Sequence, residues 1–137
     1  MRAPLHWGSL RALCVSFMLL ATGWAVPAWG QSDELMEAYN RQNELREQGL
    51  YIEAIPFAEK ALELGEKEFG SEHETTATLL DHLAGLYDDQ GRYDEAEPLY
   101  QRSLAIKKKA LGPDHPDVAT TLNNLAELYR TVGRYAE

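Results

Sequence analysis

Residues 83–129 read LAGLYDDQGRYDEAEPLYQRSLAIKKKALGPDHPDVATTLNNLAELY, and this stretch decides the fold because it begins and ends on the same motif. LAGLY at 83–87 returns as LAELY at 125–129, a spacing of 42 residues. The same spacing separates the glycines at 49, 91 and 133 and the tyrosines at 51, 93 and 135. A fixed period of this length is the sequence signature of a protein built from stacked structural repeats.

Each repeat is predicted to be a pair of α helices. In the second repeat, apolar side chains recur every three or four residues from Ala77 to Tyr87, and a second such stripe runs from Tyr93 to Ile106. This spacing places them on one face of a helix. Gly91, between the two stripes, suits the left-handed conformation that ends many helices. We therefore expect helices over 33–48, 51–66, 74–90, 93–109 and 116–132.

The alternation of small and large residues predicts how the helices touch. Ala84 and Ala96 carry only a methyl group, so the two helices can approach closely at this point. Tyr87 and Tyr100 are then expected to fill the space beside the contact.

These residues resemble the tetratricopeptide repeat, in the 42-residue form found in kinesin light chains and many bacterial proteins. The resemblance rests on the pattern LxxLAxLY, the GRY turn and the segment LGPDHPDVATTLNNLAELY, and it covers about residues 35–137. It implies an all-α fold, an antiparallel helix-pair solenoid wound into a right-handed superhelix. It also implies that the first helix of each pair lines a concave groove that binds a peptide or protein. The implied repeats are about two and a half in number, at about 33–66, 74–109 and 116–137.

The groove face of each first helix is the face turned away from its apolar stripe. Asparagine side chains there can exchange hydrogen bonds with the backbone of an extended peptide. A carboxylate clamp for chaperone C-termini, known in this family, does not fit, because Tyr39, Thr120 and Asn124 occupy the positions of its basic residues. The predicted partner-binding residues are Tyr39, Asn40, Asn43, Arg46, Asp81, His82, Asn123, Asn124, Glu127 and Arg130, with Glu47, Thr78, Gly85, Asp89 and Thr120 on the same faces.

The acidic balance of the chain restricts its partners. The formal net charge is −9, from 13 basic and 22 acidic residues. A chain this acidic repels phosphate backbones, which disfavours nucleic-acid binding. An acidic face around Asp81, Asp88 and Asp89 favours a basic or neutral partner. The lysines at 107–109 are expected to be solvated at a helix end, where cations complement the helix dipole.

The sequence contains no pattern typical of catalysis or metal binding. It has no Gly-rich phosphate loop, nucleophile elbow or HExxH motif. His73 and His115 lie one repeat apart, too far to share a metal ion, and are expected to cap helices or form turns. His82 is expected to face solvent. We predict no enzymatic activity, no cofactor and no metal site.

Residues 1–30 differ from the rest of the chain. They contain no aspartate or glutamate, and Arg2 and Arg11 precede an apolar run over 12–26. Small residues flank a cleavage site after Gly30, which is the layout of a secretory signal peptide; a cut after Ala28 is the alternative. An uncleaved membrane anchor is the other interpretation. Spanning a membrane takes roughly 20 apolar residues, however, and the run over 12–26 is only 15 residues long. We expect a domain over 31–137 that is periplasmic or secreted, without stable membrane insertion after cleavage.

Two functions remain open. The first is an exported scaffold that binds a protein or peptide in its groove. The second is the N-terminal recognition arm of a larger, C-terminally truncated enzyme, for example a protease or a transferase. The helix over 116–132 is expected to expose an apolar face, through which the chain would self-associate. That face consists of Leu122, Leu125, Ala126 and Tyr129.

Overall fold

A computed structural model describes residues 33–133, and in this range the chain forms five α helices and no β strand. The predicted signal peptide lies outside the described residues. None of the helices in the described range is long and apolar enough to cross a membrane. The helices are α1 (Asp33–Glu47), α2 (Tyr51–Phe69), α3 (Glu74–Asp89), α4 (Tyr93–Leu111) and α5 (Pro116–Thr131).

The helices pack mainly against their neighbours in the sequence, so α1–α2 and α3–α4 form successive pairs and α5 packs on α4. Tight turns at glycines connect the helices within a pair. Gly91 has a φ of 70°, a value that costs glycine little and other residues much. The Arg92 N–H after it returns to the Tyr87 carbonyl at 2.8 Å, which closes the end of α3. The predicted all-α solenoid is confirmed.

The second helices, α2 and α4, are longer than predicted. They continue to Phe69 and Leu111 rather than ending at 66 and 109. The reason lies at the glycine that follows each helix: the Gly70 N–H donates to the Glu66 carbonyl at 3.0 Å, and Gly112 repeats this bond to Lys108 at 3.1 Å. The helical hydrogen bonding therefore runs up to the glycine in both repeats.

The two linker histidines cap the first helices, as predicted. His73 Nδ1 accepts a hydrogen bond from the Thr75 N–H at 3.1 Å, and His115 Nδ1 accepts one from the Asp117 N–H at 3.2 Å. Each imidazole thus satisfies one of the N–H groups that a helix start leaves without an intrahelical partner. Pro116 occupies the start of α5, where a missing N–H costs least.

The core follows the predicted alternation of small and large residues. Ala84 and Ala96 are fully buried, and Tyr87 and Tyr100 lie beside them in the same apolar cluster. The tyrosine hydroxyl of Tyr87 donates to Glu59 on α2 at 2.8 Å, so this side chain also joins the first repeat to the second.

The exposed face of α5 is smaller than predicted. Leu125 was expected to be open to solvent, but it is only 5% exposed because it packs into the cluster shared by all five helices. Tyr129 is half-buried, and its hydroxyl contacts Glu97 on α4. Leu122 is 41% exposed, which agrees with the prediction for this residue.

Alanine substitutions at two helix-interior glycines are predicted to change the free energy of unfolding in opposite directions. Gly65 lies on α2 where a Cβ would overlap Leu79 Cδ1 in the core, whereas a Cβ on Gly85 would meet Arg46 and Tyr100 at an ordinary 3.5 Å. Alanine gains about 1 kcal/mol over glycine inside a helix, and overpacking a core costs about 1–3 kcal/mol. We expect Gly85→Ala to raise the free energy of unfolding by about 1 kcal/mol and Gly65→Ala to lower it by about as much.

Urea denaturation of both variants measures this difference. Equal stabilisation by the two alanines would contradict the close approach of α3 to α2 at Gly65.

Candidate binding groove

The first helices α1, α3 and α5 together line a cavity of roughly 390 Å³, here called the central groove. Side chains of α4 form part of its floor. This is the face that the sequence predicted for partner binding. The lining residues are Arg46, Thr78, Asp81, His82, Gly85, Asp88, Asp89, Tyr100, Lys107, Asp117, Thr120 and Asn124.

The central groove gathers part of the predicted site. Four of the ten predicted partner-binding residues line it, namely Arg46, Asp81, His82 and Asn124. Tyr39 lines an adjoining cavity of roughly 600 Å³, here called the apolar cavity. Whether any of these residues contacts a partner stays a prediction.

The other five predicted residues lie elsewhere. Asn40 lines a third cavity formed by α1 and by Phe57 of α2, together with Glu37 and Arg41. The remaining four, Asn43, Asn123, Glu127 and Arg130, line none of these three cavities, and Glu127 pairs with Arg130 one helical turn away.

A buried polar network forms the floor of the central groove. Lys107 Nζ on α4 donates to Asp81 Oδ2 on α3 at 2.5 Å, and the Thr121 hydroxyl on α5 donates to the same oxygen at 2.8 Å. The side chains of Lys107 and Asp81 are only 6% and 13% exposed. The other carboxylate oxygen, Asp81 Oδ1, is buried and accepts no hydrogen bond from the described residues.

The expectation that the lysines at 107–109 are solvated is therefore wrong for the first of them. Lys108 and Lys109 are exposed, but Lys107 continues the buried stripe of α4 that includes Ala96, Tyr100 and Ser103. These four residues follow one another at spacings of four, three and four, so the helical period could have revealed a buried lysine. The acidic partner for it was not recognisable from the sequence, because it comes from another helix.

The equivalent position in the first repeat is apolar. Forty-two residues before Lys107 lies Gly65, whose missing side chain leaves room for Leu79 of α3. Leu79 in turn is the equivalent of Thr121. An aliphatic side chain thus fills the junction of α1, α2 and α3. At the junction of α3, α4 and α5, an ion pair and a hydroxyl group take its place.

His82 is half-buried rather than solvent-facing. Its ring meets the Tyr39 ring edge-on with centroids 5.2 Å apart, and Nε2 lies 3.5 Å from the Tyr39 hydroxyl. Burial lowers the pKa of His82 below its usual 6.5, the nearby charges of Arg46 and Lys107 lower it further, and Asp81 acts in the opposite direction. The imidazole is therefore neutral at pH 7.

The far end of the central groove is crowded with carboxylates. Arg46 Nε lies 3.4 Å from Asp89 Oδ2, and this pair bridges α1 and α3. The neighbouring Asp88 is half-buried and takes part in none of the ion pairs found within residues 33–133. Burial, followed by the charges of Asp89 and Glu127, raises the pKa of Asp88. These surroundings therefore disfavour the charged form of this carboxylate relative to an aspartate in water.

No group of three or more histidine, cysteine, aspartate or glutamate side chains in the described part of the chain could hold a metal ion. The polar groups of the central groove are arranged as hydrogen-bond donors and acceptors along three helices. Such a surface can bind a chain segment through its backbone and side chains.

The family model for the tetratricopeptide repeat matches residues 44–109 and 82–137. The chain therefore belongs to the tetratricopeptide repeat family, whose repeats generally mediate protein–protein interaction. Among solved structures, it is similar to the nearly identical TPR-like repeats assigned to a kinesin light chain of Podosopora anserina, with a TM-score of 0.69 and 22% sequence identity. That match covers 90% of this chain and 56% of the other, so this chain spans about half the length of the structure it resembles. A search of curated proteins finds no match.

The buried network predicts a large effect of a single lysine substitution. Lys107→Met leaves the Asp81 carboxylate buried without its cation, and we expect the free energy of unfolding to fall by about 3 kcal/mol. Lys108→Met is the matched control, because Lys108 is exposed, and a surface change of this kind stays within about 0.5 kcal/mol. The double variant Lys107→Met/Asp81→Leu should recover much of the loss.

Thermal and urea denaturation of the three variants check this prediction. Equal stability of Lys107→Met and Lys108→Met would show that the ion pair is not formed in solution.

The lowered pKa of His82 predicts a pH-dependent stability. Because the folded-state pKa lies below the unfolded value of about 6.5, the unfolded state binds more protons between the two values. Stability present at neutral pH is therefore lost as the pH falls through about 6.5 toward the folded-state pKa. His82→Asn, which introduces the residue found at the equivalent positions 40 and 124, should weaken this loss between pH 7.5 and 5.5. Identical pH profiles of the two proteins in urea denaturation would contradict it.

Proposed function

We propose that this chain is an exported scaffold protein that binds a protein or peptide partner along its central groove, without catalysing a reaction on it. The observation that carries the proposal is the groove itself, which draws polar side chains from three successive first helices onto one concave surface. A signal-peptide pattern over residues 1–30 supports export to the periplasm or beyond.

The groove has the chemistry that a chain segment requires. Asn124 on α5 offers an amide donor and acceptor, and the hydroxyl oxygens of Thr120 on α5 and Thr78 on α3 offer acceptors, because both hydroxyls donate to carbonyls of their own helices. These groups match the alternating N–H and C=O groups of an extended backbone. Thr78 belongs to the second repeat and the other two side chains to the third, so a single segment can contact both repeats.

The fold also keeps this surface in place while it binds. The floor residues Lys107 and Asp81 are fixed by the buried ion pair, and the Arg46–Asp89 pair connects α1 to α3 across the opening. A groove held by contacts between helices loses little conformational entropy on binding.

Site-specific photocrosslinking in the cells that produce the protein tests the proposal. A photoreactive phenylalanine analogue at position 120, exposed on the groove face, should crosslink the chain to a protein partner. The same analogue at position 63 is the matched control, because Glu63 is exposed on α2 and lines none of the three cavities.

Mass spectrometry of the crosslinked product identifies the partner and the N-terminus of the chain. We expect a product that begins at Gln31, or at Trp29 after the alternative cut, in the exported fraction and only with the analogue at 120. Crosslinks from position 63 alone would contradict groove binding, and a chain that retains Met1 in the cytoplasm would contradict export.

A further inference from the structure

The central groove continues into the apolar cavity. Both are lined by Thr78, Lys107 and Asp117, so the two spaces share a boundary beside the N-terminal half of α3. Beyond that boundary, the wall of the apolar cavity is formed largely by Leu35, Met36, Tyr39, Leu79 and Leu111. Together they form one concave surface with an apolar end and a polar end.

The charge of this surface is strongly unbalanced. Its walls contain five carboxylates, those of Glu74, Asp81, Asp88, Asp89 and Asp117, but only two cationic side chains. Both cations are already engaged, Lys107 with Asp81 and Arg46 with Asp89. His82 is neutral at pH 7 and adds no positive charge.

The negative charge is concentrated at the polar end. Asp88 lies beside Asp89 and near Glu127, and it has no cation of its own among residues 33–133. Burial and its acidic neighbours make ionisation of Asp88 less favourable in the free protein than it is for an aspartate in water. A cation brought by a partner would relieve this repulsion, so charge complementarity selects a basic group at this end.

The apolar end selects a different group. Met36 is 38% exposed in the wall of the apolar cavity, although Thr78 and Thr120 hold the equivalent positions in the other repeats. The cavity of roughly 600 Å³ is large enough for one aliphatic or aromatic side chain. Burying such a side chain contributes about 1.5–3 kcal/mol.

The length of α3 sets the distance between the two groups. Leu79 in the apolar cavity and Asp88 at the polar end are nine residues apart on this helix, which is about 14 Å at 1.5 Å per residue. An extended chain covers that distance in about four residues, at about 3.3 Å each.

We propose that the partner segment is an extended basic peptide in which an apolar side chain, seated in the apolar cavity, is followed or preceded about four residues away by a lysine or arginine that pairs with Asp88. This inference deepens the proposed function and rests on it. It names the class of ligand and gives separate roles to the two ends of one groove.

Selection of random 12-residue peptides displayed on phage against the full chain tests this inference. We expect the enriched peptides to carry a positive net charge and to place Leu, Ile, Met or Phe about four residues from Lys or Arg. Synthetic versions should lose about tenfold in affinity to Asp88→Asn. Glu63→Gln is the matched control for removal of one exposed negative charge, and it should leave the affinity unchanged.

A second substitution tests the role of the apolar end. Met36→Thr introduces the residue of the two equivalent positions, and it should weaken the same peptides about threefold to tenfold while circular dichroism shows an unchanged fold. If this loss comes from the apolar side chain of the peptide, a peptide with alanine at that position should bind Met36→Thr and the unaltered chain equally.

The outcomes separate this inference from the proposed function. Enrichment of acidic peptides, or equal affinity for Asp88→Asn and the unaltered chain, would overturn the basic-peptide inference, while crosslinking at position 120 could still support the scaffold function. Absence of crosslinking at 120, with no enriched peptide of any charge, would overturn both.

Discussion

The packing of α3 is the constraint on which the rest of the structure depends. Of the five described helices, α3 alone contributes buried side chains to all three apolar clusters, through Leu79, Leu80 and Leu83 among others. The half-buried Leu62 of α2 also packs against all three. A repeat of two helices cannot bury its apolar face alone and must stack on its neighbours. Because α3 lies between α2 and α4 and also touches α5, its position determines where both neighbouring first helices stand.

The two junctions around α3 solve the same packing problem with different chemistry. At the first, Gly65 makes room for Leu79, and close aliphatic contact joins the helices. At the second, Lys107, Asp81 and Thr121 form a buried network, which is specific in geometry but costly to desolvate. The polar solution places charged groups in the floor of the groove, next to the residues that a partner would meet. The sequence difference between the repeats thus gives the groove its distinct ends.

The sequence predicted the local structure well apart from the ends of α2 and α4, and its other failures are matters of tertiary contact. The helix pairs and the histidine caps follow from spacing and from the residues at helix ends, which act over a few positions. The acidic partner of Lys107 and the burial of Leu125 could not be read in this way, because each depends on a side chain from another helix. His82 was expected in solvent, yet the Tyr39 side chain from the preceding repeat covers one edge of its ring.

The same limit applies to the candidate site. The repeat pattern predicted one groove face on each first helix and treated the three helices as equivalent. In the structure, His82 and Asn124 share the central groove while their counterpart Asn40 lines a separate cavity with Phe57 of α2. Equal positions in successive repeats therefore do not have equal surroundings.

Once the crosslinked partner has been identified and purified, hydroxyl-radical footprinting of its complex with this chain tests the central claim most directly. The method reports the solvent exposure of individual side chains. Met36, Tyr39 and His82 are oxidisable residues on the concave surface, while Ile52 is 71% exposed on α2 and lines none of the three cavities. The account predicts that the partner protects the first three and leaves Ile52 unchanged. Protection of Ile52 or of Leu122 on α5, with Met36 still oxidised at its free rate, would contradict it.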